Sequence, residues 1–316
     1  MTPTGRGAAG ASADSLERAS ADRSARLYDP SNSQVVGPAA EPGRAGPRAT
    51  RSARLGRRSA ATVLPAIIVL VGLFLILEYG LAAIQVQSFL LPKPTTVAAA
   101  LADNWGTGRF ALLPSAMATL QEALIGLAIG TVAGLVVAFA TARWASARGL
   151  LLPLAVAANA IPIIAFAPLL NNWFGLLNPL SKALMAAVLV FFPIMANVTR
   201  GLVQVEPGAV ELMRSYAASE WTILRKVRVP NALPFFFTAL KVATTLSLIG
   251  AIVGEYFGGS SSVLGRVIVQ SASALKFDVT WAAILLGAIT GIAFYAVVTV
   301  AERLVVPWAA ALRGDT

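Results

Sequence analysis

Residues 200–230 read RGLVQVEPGAVELMRSYAASEWTILRKVRVP, a stretch too polar to sit within a bilayer and too regularly patterned to be a loop. Pro207 suits a first helical turn, and Val210, Met213 and Ala217 fall at i, i+3 and i+7, which places them on one apolar face. Ser219 is a fitting N-cap for a second helix, where Glu220 complements the helix dipole and Trp221, Leu224 and Val227 or Arg228 mark a second face. Two short amphipathic helices are therefore expected. Such a pair between two membrane spans is either an anchor lying on the surface or a knob that docks a partner.

Outward from this stretch the chain turns apolar. Of 316 residues, 57% are hydrophobic and 13% charged, against roughly a quarter charged in soluble domains. About 20 apolar helical residues cross a bilayer. Glu78 is the one charge between Arg58 and Lys93; residues 123–142, 149–181, 183–199 and 279–301 carry none; residues 229–252 carry Lys241 alone. The expectation is an all-α, polytopic membrane protein with about six transmembrane helices. With the N-terminus inside, twenty Lys and Arg fall on the inner side, ten of them in residues 1–60. Five fall outside: Lys93, Arg109, Lys182, Arg266 and Lys276. That asymmetry predicts two cytoplasmic termini and accounts for the net charge of +10 without nucleic acid.

Residues 1–60, rich in Ala, Gly, Ser, Pro and Arg, read as a disordered basic cytoplasmic tail whose arginines act first as a positive-inside anchor, with contact to anionic membrane lipid as the alternative, and residues 309–316 as a short C-terminal tail. Between them, residues 61–308 form one membrane domain. Cys and His are absent, which excludes disulfides, thiolate and imidazole metal sites and His-dependent triads. No phosphate-cradling G-x-x-x-x-G-K-[ST] loop occurs either. Neither catalysis nor a cofactor is expected of this chain.

Within the membrane, Gly126, Gly130 and Gly134 line one helix face, and Gly287 and Gly291 repeat the device; both are read as packing surfaces within the chain. Pro162 and Pro168 interrupt the third span and predict a kink beside a path. Glu78, Glu122, Lys241 and Glu255 each need a partner, a cavity or an interface position. Lys241 is expected to snorkel, Glu255 to face an outer vestibule, and Glu78 and Glu122 to bond between helices, deeper in the membrane. The residues proposed to line a solute path are Glu122, Pro162, Pro168, Asn171, Trp173 and Glu255.

The segment ELMRSYAASEWTILRKVRVP, residues 211–230, resembles the EAA loop of ATP-binding-cassette importer permeases: E-A-A, three residues, G, nine residues, then I-x-L-P. Glu211 matches the acid, Leu212 and Met213 replace the alanines, Ala217 stands at the glycine, and Val227, Arg228, Val229 and Pro230 match the close. FLLPKPTTV, IPIIAFAPLLNNWFG, NALPFFFTALKVATTLSLIGAIVGEYFGG and LGRVIVQSAS extend the resemblance to about residues 89–308, closest to the nitrate, sulfonate and taurine class. It implies a type I importer permease (MetI-like) bundle in a bacterial inner membrane. It implies a homodimer, ATPase subunits inside, a solute-binding protein outside, and a coupling loop over residues 206–230 with Glu211, Leu212, Met213, Ala217, Ser219, Trp221, Val227 and Pro230 at or near the contact. Trp221 is expected to pack its helix on the bundle. The candidate solutes are sulfonate or taurine, nitrate, or a vitamin or pyrimidine precursor. An ion-coupled carrier using the buried carboxylates is the rival reading.

Overall fold

The computed structural model describes residues 65, 67–69, 71–80, 91–159 and 162–308. Both expected tails and the ends of the first expected span lie outside the described residues. Among those described there is no strand.

In chain order the helices are α1 (Ile67–Gly80), α2 (Pro94–Asp103), α3 (Leu112–Arg143), α4 (Ala145–Asn159), α5 (Phe166–Phe174), α6 (Pro179–Val203), α7 (Pro207–Ser215), α8 (Glu220–Phe257), α9 (Leu264–Ser273) and α10 (Phe277–Val305). Four of them, α3, α6, α8 and α10, are long and apolar enough to cross a membrane, at 32, 25, 38 and 29 residues. The expected third span is divided: α4 ends at Asn159, a 3-10 turn occupies Ile163–Ala165, and α5 restarts. Pro162 lies in the break and Pro168 in the first turn of α5, where a missing N–H costs nothing. The two prolines therefore break this span rather than bend it.

Side chains are distributed inside out relative to a soluble bundle. On α3 most buried positions are small, Ala123, Gly126, Gly130, Gly134 and Ala138 among them, whereas Ile125, Ile129, Val132, Val136 and Phe139 are exposed. Lipid solvates large aliphatic groups as well as a protein core does, so helices associate where backbones can approach. A Cβ added at Gly126 would lie 2.5 Å from Ala183 O, and one at Gly130 2.5 Å from Ala187 O. On the other side of α6, a Cβ at Gly250 would lie 2.6 Å from Ala186 Cα. Helix α6 is thus held between α3 and α8 at near backbone contact. The pair on α10 does something different. Gly287 is buried and a Cβ at Gly291 would lie 3.3 Å from Leu248 Cδ2, so the pair packs within the chain but more loosely: with Leu248, Ile252, Ile284 and Tyr295, both glycines line an open apolar groove of about 520 Å³ between α8 and α10.

Two ends of the bundle can be distinguished. One carries α2, α5 and α9; the other carries α7. Glu78 of α1 bonds between helices as expected, accepting hydrogen bonds from Thr95 N (3.2 Å) and Thr95 Oγ1 (2.7 Å) of α2. It caps the start of α2.

Candidate functional site

Helix α7 contributes no buried residue. Val210 and Met213 are half-buried, whereas Leu212 and Tyr216 are 58% and 77% exposed, forming an apolar ridge turned away from the bundle. Position 217 explains how the helix ends. Ala217 has φ 53°, its N–H bonds to Arg214 O (2.9 Å), and the Ala218 N–H bonds to Met213 O (3.1 Å). This is a Schellman turn with Ala217 at the left-handed position, where glycine is strained least. The conformation of the chain, rather than the size of a cleft, is thus what favours glycine here. Ala217 is itself exposed.

Ser219 caps the next helix as its sequence position predicts, its Oγ accepting from Thr222 N (3.3 Å). That helix is not short. A π turn over Leu224–Arg228 joins it to the span, so Glu220–Phe257 is one helix of 38 residues. Pro230 is tolerated because it falls two residues into the regular part, beside the π turn. Trp221 does not pack against the bundle. It is 69% exposed and lines a groove of about 280 Å³ with Arg143, Glu220 and Arg228. Val227 and Pro230 line a second groove of about 420 Å³ with Glu206, Lys226 and Trp308. Glu211 is exposed, and an ion pair between Arg214 and Glu220 (3.2 Å) spans the turn. Tyr216, which no periodicity singled out, is the most exposed apolar residue of the segment.

The proposed path residues divide into two groups. Pro162, Pro168 and Trp173 are exposed, whereas Glu122, Asn171 and Glu255 are buried at the α9 end. Glu255 faces no vestibule: it is fully buried, and its Oε2 accepts from Gly265 N (2.7 Å) while Thr119 Oγ1 accepts from Leu264 N (3.0 Å). Two side chains from other helices thus satisfy the first amides of α9, whose N-cap Val263 offers none. Glu122 lies beside Glu255, and Lys182 is within electrostatic reach of both. Lys182 is not the outer loop charge its position between two apolar runs implied; it is 1% exposed on α6. Its ammonium donates to Leu176 O, to Asn178 O (3.4 Å) and to Ser181 Oγ (2.9 Å), tying the α5–α6 connection to the bundle. Asn171 Oδ1 lies 3.0 Å from Ser181 Oγ. Sequence reasoning missed Lys182 because a lone lysine at an apolar boundary reads as a flank.

Lys241 does not snorkel. Its Nζ lies 2.8 Å from Glu302 Oε2 across α8 and α10, both side chains largely buried. Among the described residues no cluster of three metal-ligating side chains occurs.

Residues 130–310 match the family model described as "Binding-protein-dependent transport system inner membrane component". A probable ABC transporter permease of Haemophilus influenzae is 36% identical over 53% of this chain and 68% of its own length. A formylaminopyrimidine transport permease of Halalkalibacterium halodurans is 33% identical over 56% and 69%, and a riboflavin transport permease of Chloroflexus aurantiacus 31% identical over 62% and 73%. The fold is similar to that of a chain in a bacterial ABC transporter that imports alginate (TM-score 0.51, 12% identity), covering 80% of this chain and 99% of that one. These matches weigh against an ion-coupled carrier. The chain belongs to the family of binding-protein-dependent transport system inner membrane components and is the permease subunit of an ATP-binding-cassette importer.

Proposed function

We propose that residues 206–230 form the coupling element of this permease, docking cytoplasmic ATPase subunits at the α7 end while a solute-binding protein meets the α9 end. The observation that carries this reading is the exposed Leu212–Tyr216 ridge on a helix with no buried residue, closed by a Schellman turn where the family pattern has glycine. An apolar ridge left uncovered this way fits a helix that enters a partner's groove. In this reading the chain itself hydrolyses no ATP, both termini are cytoplasmic, and residues 1–60 and 309–316 are tails flanking the membrane domain. The working unit pairs two copies in lipid around a central path. Movement of the ATPases shifts the paired α7 segments and rocks the bundle between inward- and outward-facing forms.

The solute is a small molecule or ion. Permeases named for a formylaminopyrimidine and for riboflavin are 33% and 31% identical over 56% and 62% of this chain, against 31% over 40% for a sulfonate permease and 26% over 65% for a taurine permease, so an aromatic heterocycle is the first class to try. Nitrate, sulfonate and taurine follow.

The test is Leu212→Asp, which changes an exposed side chain and leaves the spans untouched. The ATPase should no longer co-purify and uptake should be lost at parental membrane abundance. Retained ATPase together with parental uptake of the cognate solute overturns the assignment. Topology is checked with a membrane-impermeant thiol reagent on intact cells, which should label Thr107→Cys and spare Arg225→Cys; the reverse pattern inverts the orientation.

A further inference from the structure

The polar cluster at the α9 end has an imbalance that its hydrogen bonds do not resolve. Glu122 and Glu255 are 6% and 0% exposed and their carboxyl groups lie within hydrogen-bonding reach of each other, yet Glu122 Oε2 and Glu255 Oε1 have no partner. Two carboxylates side by side in a low-dielectric interior repel, and each orphaned oxygen carries a desolvation cost. Lys182 relieves the charge without supplying a bond, because its donors go to Leu176 O, Asn178 O and Ser181 Oγ. With both acids ionised, the three groups sum to one net negative charge.

Among the described residues the other surroundings supply no second cation to the pair. Helix α9 offers the Gly265 amide, already spent on Glu255 Oε2, and α5 offers Asn171, whose Nδ2 is also without a partner. Arg266 of α9, whose Nε is buried without a hydrogen-bond partner, has its side chain against Gly259 and bonds to neither acid. On α10, Lys276 and Asp278 are exposed at the near end, and Glu302 is bonded to Lys241 at the far end.

We propose that the Glu122–Glu255 pair is a proton-binding site: Glu122 carries the proton and donates it to Glu255 Oε1, which joins α3 to α8 and through Gly265 to α9. One proton satisfies both orphaned oxygens and brings the cluster to formal neutrality. The assignment of the proton to Glu122 follows from capping. Glu255 already accepts from the first turn of α9 through Oε2, so its carboxyl serves as the acceptor and Glu122 is left to donate. A shared proton is the smallest ligand that meets the site's two deficits, charge and hydrogen bonding, without added volume.

The experiment is infrared spectroscopy of the purified full chain in lipid nanodiscs at neutral pH, with carbon-13 glutamate to separate Glu from Asp. A glutamic acid carbonyl band, shifted by deuteration, is expected in the wild type and absent from Glu122→Gln. The glutamine donates its amide where the acid donated its proton, so that variant should unfold within about 2 °C of wild type, whereas Glu122→Ala should lose several degrees. No such band in the wild type, or the same band in Glu122→Gln, overturns the proposal. So does an unfolding midpoint raised by sodium over choline at equal ionic strength in a protein with no band, which makes the ligand a cation instead. None of these readouts depends on the solute or on ATPase docking.

Discussion

At the α9 end, Glu122, Lys182 and Glu255 are buried on three different helices, and the lysine spends its donors on backbone carbonyls and a serine rather than on either acid. At the other end of the same bundle, Lys241 and Glu302 meet directly at 2.8 Å with some solvent access. Both solve the same problem, an ionisable group at membrane depth, and they solve it differently. The direct pair is local and replaceable. The three-helix cluster is not, since two of its three members also hold backbone: Lys182 the α5–α6 connection, Glu255 the start of α9. Charge that is wired into backbone amides and carbonyls ties helices together, whereas charge paired side chain to side chain mainly balances itself.

The largest effect that sharpens this contrast is expected from Lys182→Met. It removes the cation facing two buried acids and frees two carbonyls and a hydroxyl, a change of the kind that costs about 3–5 kcal/mol. Thermal unfolding of the purified protein, or its abundance in the membrane, should show it. A smaller loss than that from Lys241→Met breaks the comparison. Lys241→Met leaves Glu302 without that partner but nearer water, and should cost about 1–3 kcal/mol. The double change Lys241→Met with Glu302→Leu should recover most of that loss, as apolar replacement of a buried pair often does. Two additive losses contradict the direct pairing. The smallest effect belongs to Ala217→Gly. Relief of left-handed strain, less the chain entropy that glycine costs, should favour the turn by about 0.5–1 kcal/mol. Because α7 has few tertiary contacts to report through, hydrogen exchange at its last amides is the sensitive measurement; unchanged exchange removes strain as the reason glycine is the family residue here.

Much of this was legible in the sequence. The spacing of Val210, Met213 and Ala217, the cap at Ser219 and the stripe of Gly126, Gly130 and Gly134 are local or single-helix features, and periodicity reports them directly. What stayed hidden is relational. Lys241 and Glu302 are 61 positions apart, and nothing in either run announces the other. Lys182 looked like a loop charge because it divides two apolar runs, and an amphipathic period cannot say that the opposite neighbour is an acid on another helix. Trp221 was assigned to packing because apolar residues in soluble proteins face inward, a rule that weakens where lipid and partners are also apolar surroundings. Tyr216 was overlooked for the complementary reason: it lies off the predicted apolar face. The merging of the second short helix into α8 turned on a π turn that no residue pattern marks.

That continuity has a mechanical consequence. At about 1.5 Å per residue the 38-residue helix is a beam roughly 57 Å long. It is seated on α6 at two places: Ala232 closes on Gly201, where an added Cβ would lie 2.7 Å from Ala232 Cα, and Gly250 closes on Ala186. These seats are 18 residues apart, roughly 27 Å along the axis. A beam held at two separated points cannot pivot between them, so a displacement that reaches Ala232 is shared by α8 and α6. Under the proposed coupling, that shared displacement is the one that would reach Glu255 and Lys182, which the two helices carry at the far end.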